Sequence, residues 1–294
     1  MKSGFVSIVG RPNTGKSTLI NAIVNEKIAI VSNIAGTTRN TIQGVYHGDD
    51  FQIVFVDTPG ISKPVDRLGK KLNASSYESL EDIDVILFVV DAAAGLGKGD
   101  KQILEILKKQ NTPVILVLNK IDKLTKEGII NAINTYNDLY EFDDIIPLST
   151  LKHDNIDRLI ELTKTYLKDD IKYYEDDIVT NTDPKFMIQE LVREKILNLT
   201  NEEVPHNITT VLTSYHEKNN VIELSVDIIV ARDNLKKIII GKQGSMLKTI
   251  GTEARKDIEK LLGKQVYLEL YVRTVKNWRN KEKYLHELGF DELW

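Results

Sequence analysis

The octapeptide Gly10-Arg11-Pro12-Asn13-Thr14-Gly15-Lys16-Ser17 follows the apolar run GFVSIV and precedes the helical pattern STLINAIVN. Few segments restrict a fold so strongly. The pattern GxxxxGK[ST] between a strand and a helix is a phosphate-binding loop, in which small residues let backbone N–H groups turn inward at a helix N-terminus. Gly10, Thr14, Gly15 and Thr18 are therefore expected around the phosphates, with Lys16 reaching the β- and γ-phosphates and Ser17 holding Mg²⁺. The loop does not say which nucleoside triphosphate it takes.

A strand–loop–helix start calls for an α/β sheet, and the next segments supply one. TIQGVYH and FQIVFVD, joined by Gly48-Asp49-Asp50, read as a hairpin. DVILFVVDA, TPVILVLNK and DIIPLS read as buried strands separated by helical stretches. The expectation is a doubly wound, mostly parallel sheet with one antiparallel edge pair over residues 1–168. A polar, acidic segment ending in Asp183-Pro184 breaks this rhythm, so 169–183 reads as a linker. Residues 184–294 then give a helix (KFMIQELVREKILNLT), a hairpin around Lys218-Asn219-Asn220, two helices flanking Gly241–Gly244, and a final strand, QVYLELYVRTV. That half is α+β, and 294 residues suit two domains.

Three further motifs narrow the nucleotide. DTPG at 57–60 follows a strand, which places Asp57 to hold Mg²⁺ and the Gly60 N–H to sense the γ-phosphate. NKID at 119–122 places Asp122 where its carboxylate can accept from the ring NH and the amino group of guanine, with Asn119 and Lys120 bracing the loop. Ser149, Thr150, Leu151 and Lys152 follow the last strand and complete the base pocket. Either Thr37 or Thr38 of GTTR can complete the Mg²⁺ shell, and Thr38 is the preferred one.

Charge supplies a second theme. Ala231 to Lys283 holds fourteen Lys and Arg against six Asp and Glu, in a chain whose net charge is −4. Such a basic end suits a polyanion. Within it, Ile240-Gly241-Lys242-Gln243-Gly244, followed one turn later by Lys248, can bring backbone close to a sugar-phosphate chain. The chain has no cysteine, and its five histidines have no ligand-like spacing, so thiolate and histidine metal sites are not expected. MKSGFVSIVG lacks a basic region and a cleavage site, and the longest apolar run, Val85 to Val90, is too short for a bilayer. A cytoplasmic protein is the expectation.

These motifs are those of the TRAFAC-class GTPases, and nearly end to end the chain resembles the Era family of bacterial ribosome-assembly GTPases. The resemblance rests on GRPNTGKSTLIN, GTTR, DTPG, LGKKLN, DVILFVVDA, NKID, IIIGKQGSMLKTIG and VKNWRNKEKYLHELGF. It implies a Ras-like GTPase domain followed by a type II KH domain, and binding of GTP or GDP. It also implies binding of small-subunit ribosomal RNA near its 3′ end, a role on the 30S subunit, and a monomeric state. The roles of Lys16, Thr38 and Gly60 in hydrolysis come with it. Asn13 resembles the asparagine with which related GTPases coordinate K⁺; shaping the turn is its other reading. The chain departs from the family at Thr150 and His153, and at Ser62, where a histidine is usual. Ile61 stands where many GTPases carry a water-orienting glutamine, so slow intrinsic hydrolysis is expected. Two rivals remain: a P-loop kinase or ATPase, against which NKID argues, and a signalling or peripherally membrane-associated GTPase whose basic C-terminal domain binds protein or anionic lipid headgroups.

Overall fold

A run such as Val85-Ile86-Leu87-Phe88-Val89-Val90 shows no polar side to water, so its strand must be covered on both faces. In the computed structural model, which describes residues 1–61 and 64–287, all six are fully buried. They form β4 (Val85–Asp91) of a six-stranded sheet. Its other strands are β1 (Lys2–Val9), β2 (Ile42–His47), β3 (Phe51–Asp57), β5 (Val114–Asn119) and β6 (Asp144–Pro147), ordered β2-β3-β1-β4-β5-β6. Every neighbouring pair is parallel except β2 and β3, the hairpin read from the sequence.

Alternate residues of β4 serve two cores. Val85, Leu87 and Val89 pack with Leu19 and Ile20 of α1 (Lys16–Val24) and Leu159 and Ile160 of α5 (Ile156–Lys164). Ile86, Phe88 and Val90 pack with Ile103 and Leu107 of α3 (Lys98–Leu107) and Tyr136 of α4 (Lys126–Asn137). The strand order reverses around β1. The carboxyl ends of β1, β3, β5 and β6 therefore open onto one crevice, the usual ligand position in such sheets.

The acidic stretch 169–183 is built into this half. Ser3 and Asp169 exchange backbone hydrogen bonds of 2.8 and 3.1 Å, and Val45 of β2 donates to the Val179 carbonyl at 2.8 Å. Gln52 Oε1 accepts from the Tyr173 and Tyr174 N–H groups at 2.9 and 3.0 Å, while Phe5 meets Tyr173 edge-on. The stretch thus starts beside β1, passes β3 and ends along β2, the outermost strand.

Asp183 then caps α6 (Pro184–Leu199) through the Lys185 N–H, with Pro184 in the first turn where its missing N–H costs nothing. After it come β7 (Ile208–Lys218), β8 (Val221–Val230), α7 (Asp233–Ile240), α8 (Ser245–Leu262), β9 (Gln265–Thr274) and α9 (Glu282–Glu287). The three strands form one sheet, β7 antiparallel and β9 parallel to β8. Ile222, Leu224, Val226 and Ile228, spaced by two, face Leu191, Ile239, Ile250 and Ile258 of the helices. A bulge between Leu212 and Ser214 shifts the β7 register and had no sequence signal. The α+β order helix, hairpin, helix–turn–helix, strand is the one expected. A smaller cluster joins the halves: Leu68 of α2 (Arg67–Glu78) packs with Ile229, Trp278 and Leu285.

Candidate functional site

The loop between β1 and α1 has room only for glycine at two points. A Cβ on Gly10 would stand 2.2 Å from the Val89 carbonyl oxygen. One on Gly15, whose φ is +98°, would stand 2.4 Å from Asn119 Nδ2. No side chain caps α1, so the N–H groups of its first turn, including that of half-buried Thr18, are open to an anion. Lys16 is buried, and its Nζ donates to the carbonyls of Gly10 (2.9 Å) and Arg11 (3.1 Å). Burial lowers its pKa to about 8, against the opposing pull of Asp57.

Three oxygens meet beside it. Ser17 Oγ donates to Asp57 Oδ2 at 2.7 Å and lies 2.8 Å from Thr38 Oγ1. Asp57 is fully buried, which raises its carboxyl to about 6 in spite of Lys16 and the Ser17 hydrogen bond. Its Oδ1 has no hydrogen-bond partner. An orphaned, buried carboxylate oxygen beside two hydroxyls is a hard, anionic donor set that fits Mg²⁺. Of the two threonines, Thr38 stands at this cluster, while the Thr37 hydroxyl is used inside the loop, donating to Ile34 O at 2.6 Å.

Gly60 abuts the phosphate loop, where a Cβ would come within 2.9 Å of Pro12 N. Ile61 is turned away from it into the core beside Val9 and Ile86. Ser62 lies outside the described residues. Asn13 has φ +66°, a conformation asparagine tolerates, and its Nδ2 donates 2.8 Å to Asn33 O. The side chain therefore ties the phosphate loop to the loop carrying Thr38.

The base end is braced by Asn119, which is buried and uses both ends of its amide. Nδ2 donates to Thr14 O at 2.9 Å, and Oδ1 accepts from Thr150 N (3.2 Å), Thr150 Oγ1 (3.0 Å) and Lys120 N (2.8 Å). Lys120, at φ +65°, spans the site and donates to Asn13 O at 2.6 Å and Asp91 Oδ2 at 2.7 Å. Asp91 was missed from sequence, although it ends the strand DVILFVVD as Asp57 ends its own. Asp122 is exposed, and its Oδ1 accepts from Ser149 Oγ at 2.5 Å. Lys152 N donates to Ser149 Oγ at 3.2 Å, and Leu151 is largely exposed.

The second half offers a different surface. Gly241 (φ +72°), Gln243 (+51°) and Gly244 (+79°) make a tight turn between α7 and α8, with Lys242 and Gln243 exposed. Gly244 precedes α8 without a side-chain cap. The turn opens onto a groove between α8 and β9, floored by Leu247, Leu268 and Leu270 and edged by Lys248, Arg255 and Tyr267. Ile240 is half-buried against the core behind it. Arg255 and Tyr267 were not anticipated; the seven-residue step from Lys248 to Arg255, two turns along one helix face, was the available signal.

Comparison with known proteins bears on both halves. The family model described as a 50S ribosome-binding GTPase matches residues 5–120, and a KH-domain model matches 203–279. The GTPase Era of Clostridium kluyveri is 46% identical over 291 residues, covering 99% of each chain. A crystal structure of an Aquifex aeolicus Era variant bound to GDP·AlF₄⁻ matches with TM-score 0.95 at 40% identity, again over 99% of both chains. A crystal structure of Era with MgGDPNP and nucleotides 1506–1542 of 16S ribosomal RNA matches with TM-score 0.96 at 40% identity and the same coverage.

Proposed function

This chain belongs to the Era family of GTPases, and we propose that it binds small-subunit ribosomal RNA in its GTP state and leaves after hydrolysis, assisting 30S assembly. Residues 1–168 form the GTPase domain, 169–183 the connection and 184–294 the KH domain in this reading. The observation that carries it is the groove of α8 and β9. It presents an apolar floor and the cations Lys248 and Arg255 to a single strand, with exposed Lys242 in the adjoining turn. The relative solved with 16S ribosomal RNA has the same fold along its whole length.

GTP hydrolysis breaks the bond between the γ-phosphorus and its bridging oxygen, whose electron pair stays with GDP, while a water oxygen bonds to that phosphorus. Catalysis here is positioning and neutralisation of charge. Lys16 and the first N–H groups of α1 hold the β- and γ-phosphates, and the Gly60 N–H faces the γ-phosphate. Ser17, Thr38 and Asp57 would hold Mg²⁺, which neutralises phosphate charge when bound. Asp122, aimed by Ser149, selects guanine. With Ile61 in the core, no side chain directly after DTPG orients the attacking water, so hydrolysis without further help is slow.

A potassium ion held through Asn13 is the help proposed. Replacing Na⁺ by K⁺ is expected to raise the GTPase rate about tenfold, and Asn13→Ala to erase the difference. Equal rates in both salts assign Asn13 to shaping the turn and bridging to Asn33.

The RNA reading is tested by Lys242→Asp with Gln243→Asp, titrated with an oligonucleotide of the small-subunit ribosomal RNA 3′ end at two salt concentrations. Both side chains are exposed, and aspartate tolerates the left-handed backbone at 243. Affinity should fall about tenfold or more, with a salt slope shallower by about one and GTP binding unchanged. Unaltered RNA binding would reduce Gly241–Gly244 to a plain turn and favour the membrane or protein-partner alternative, the first of which vesicles containing phosphatidylserine then test.

A further inference from the structure

The loop carrying Thr38 belongs by sequence to the GTPase half, but much of its support comes from the other half. Ile30 is buried in the second core beside Met187, Ile188 and Leu191. Two consecutive residues of α6 hold the loop at its two ends. Glu194 Oε1 accepts from Val31 N at 2.9 Å, and its Oε2 accepts from Lys27 Nζ at 2.6 Å. Arg193 is fully buried, and its Nη2 donates to the Thr37 carbonyl. Glu190 fixes that guanidinium from one turn earlier on α6, at 2.7 Å from Nε and 2.5 Å from Nη2. Just beyond, Arg39 Nη1 donates to Ile208 O at 2.8 Å and its guanidinium lies 5.7 Å from the centre of the Trp278 ring.

A buried guanidinium is expensive unless its hydrogen bonds are satisfied, and here one nitrogen, Nη1, is buried with no partner. An apolar residue would seal the junction with less desolvation. What arginine adds is a directed bond to one carbonyl. That carbonyl precedes the residue whose hydroxyl lies 2.8 Å from Ser17 Oγ. We propose that Arg193, with Glu194 at the far end of the loop, is a positioning residue for GTP hydrolysis: from the KH half it holds residues 31–37 so that Thr38 stays at the Ser17–Asp57 cluster. The inference rests on reading that cluster as the Mg²⁺ site.

The test uses the full chain with Arg193→Met, Arg193→Lys, Thr38→Ala and the Arg193→Met/Thr38→Ala pair. GDP does not need Thr38, because it lacks the γ-phosphate, so Arg193→Met should leave GDP affinity within about twofold. It should lower the affinity for Mg²⁺ with a non-hydrolysable GTP analogue, and lower kcat by about tenfold to a hundredfold. Backbone hydrogen exchange at 31–38 should accelerate, and Arg193→Lys should restore part of each loss. In the Thr38→Ala background Arg193→Met should add little further loss of kcat, because both act through one group; a purely structural arginine would add its full effect. If Arg193→Met does not fold, Glu194→Ala, which releases the Val31 end, carries the same expectations and the same paired comparison. Wild-type kcat and analogue affinity in Arg193→Met, or full additivity with Thr38→Ala, overturns the proposal while leaving the Mg²⁺ site standing. An unaffected Thr38→Ala overturns both.

Discussion

Lys16→Ala is expected to lower GTP affinity by about a hundredfold or more, the order found when one partner of a buried charge pair is removed. The ammonium is buried against the Gly10 and Arg11 carbonyls, with Asp57 as its charged neighbour. Removing it withdraws the cation facing the β- and γ-phosphates. It also leaves the Asp57 carboxylate, already pushed up to about 6 by burial, without its main stabilising charge. The second effect favours a protonated Asp57, so part of the loss should appear as weaker Mg²⁺ dependence. Equilibrium titration with a fluorescent GTP analogue, beside thermal melting to establish folding, measures both. Affinity within about twofold of wild type would reject the phosphate-loop assignment.

Asp122→Asn should exchange guanine for xanthine preference, with a combined swing on the order of a thousandfold, since the charge-assisted hydrogen bonds to guanine are lost and a neutral amide hydrogen bond to the xanthine carbonyl is gained. The geometry also sets the direction of the swap. Ser149 Oγ donates to Asp122 Oδ1, so in the variant it selects the rotamer that keeps the amide oxygen toward Ser149. The amide NH₂ is then presented to the base, where xanthine offers a carbonyl in place of the guanine amino group. Competition between GTP and XTP for one fluorescent nucleotide reads the result. A variant that still prefers GTP would remove Asp122 from the base-reading role.

The nucleotide half was legible because its chemistry sits at strand ends, and strand ends can be found from apolar runs. Gly10, Asp57, Asn119 and Ser149 each follow such a run, and the sheet order brings those ends together. The hairpins at Gly48–Asp50 and Lys218–Asn220 were legible for a similar local reason, a turn cluster between alternating runs. What stayed hidden depends on distant pairing. Arg193 meets Thr37 across 156 residues and Arg39 meets Ile208 across 169, and neither arginine lies in a pattern that points to its partner. Arg193 looks like a surface charge of an amphipathic helix and Arg39 like a loop charge, and burial is a tertiary outcome. Asp91 is an intermediate case: its place at a strand end was a signal that went unused, and only the backbone turn at Lys120 brings an ammonium to it.

The strap formed by 169–183 has a consequence for how the chain can be divided. An outermost strand with unpaired N–H and C=O groups is a template on which another copy can add. Val179 occupies one such group on β2, and the neighbouring acidic residues Glu175, Asp176 and Asp177 place like charges along the same border. Cutting the chain at the obvious polar boundary near residue 168 would strip off this cover and leave a bare β2 beside an intact nucleotide crevice. The acidic stretch, which by composition looks dispensable, thus covers a strand edge that its removal would expose.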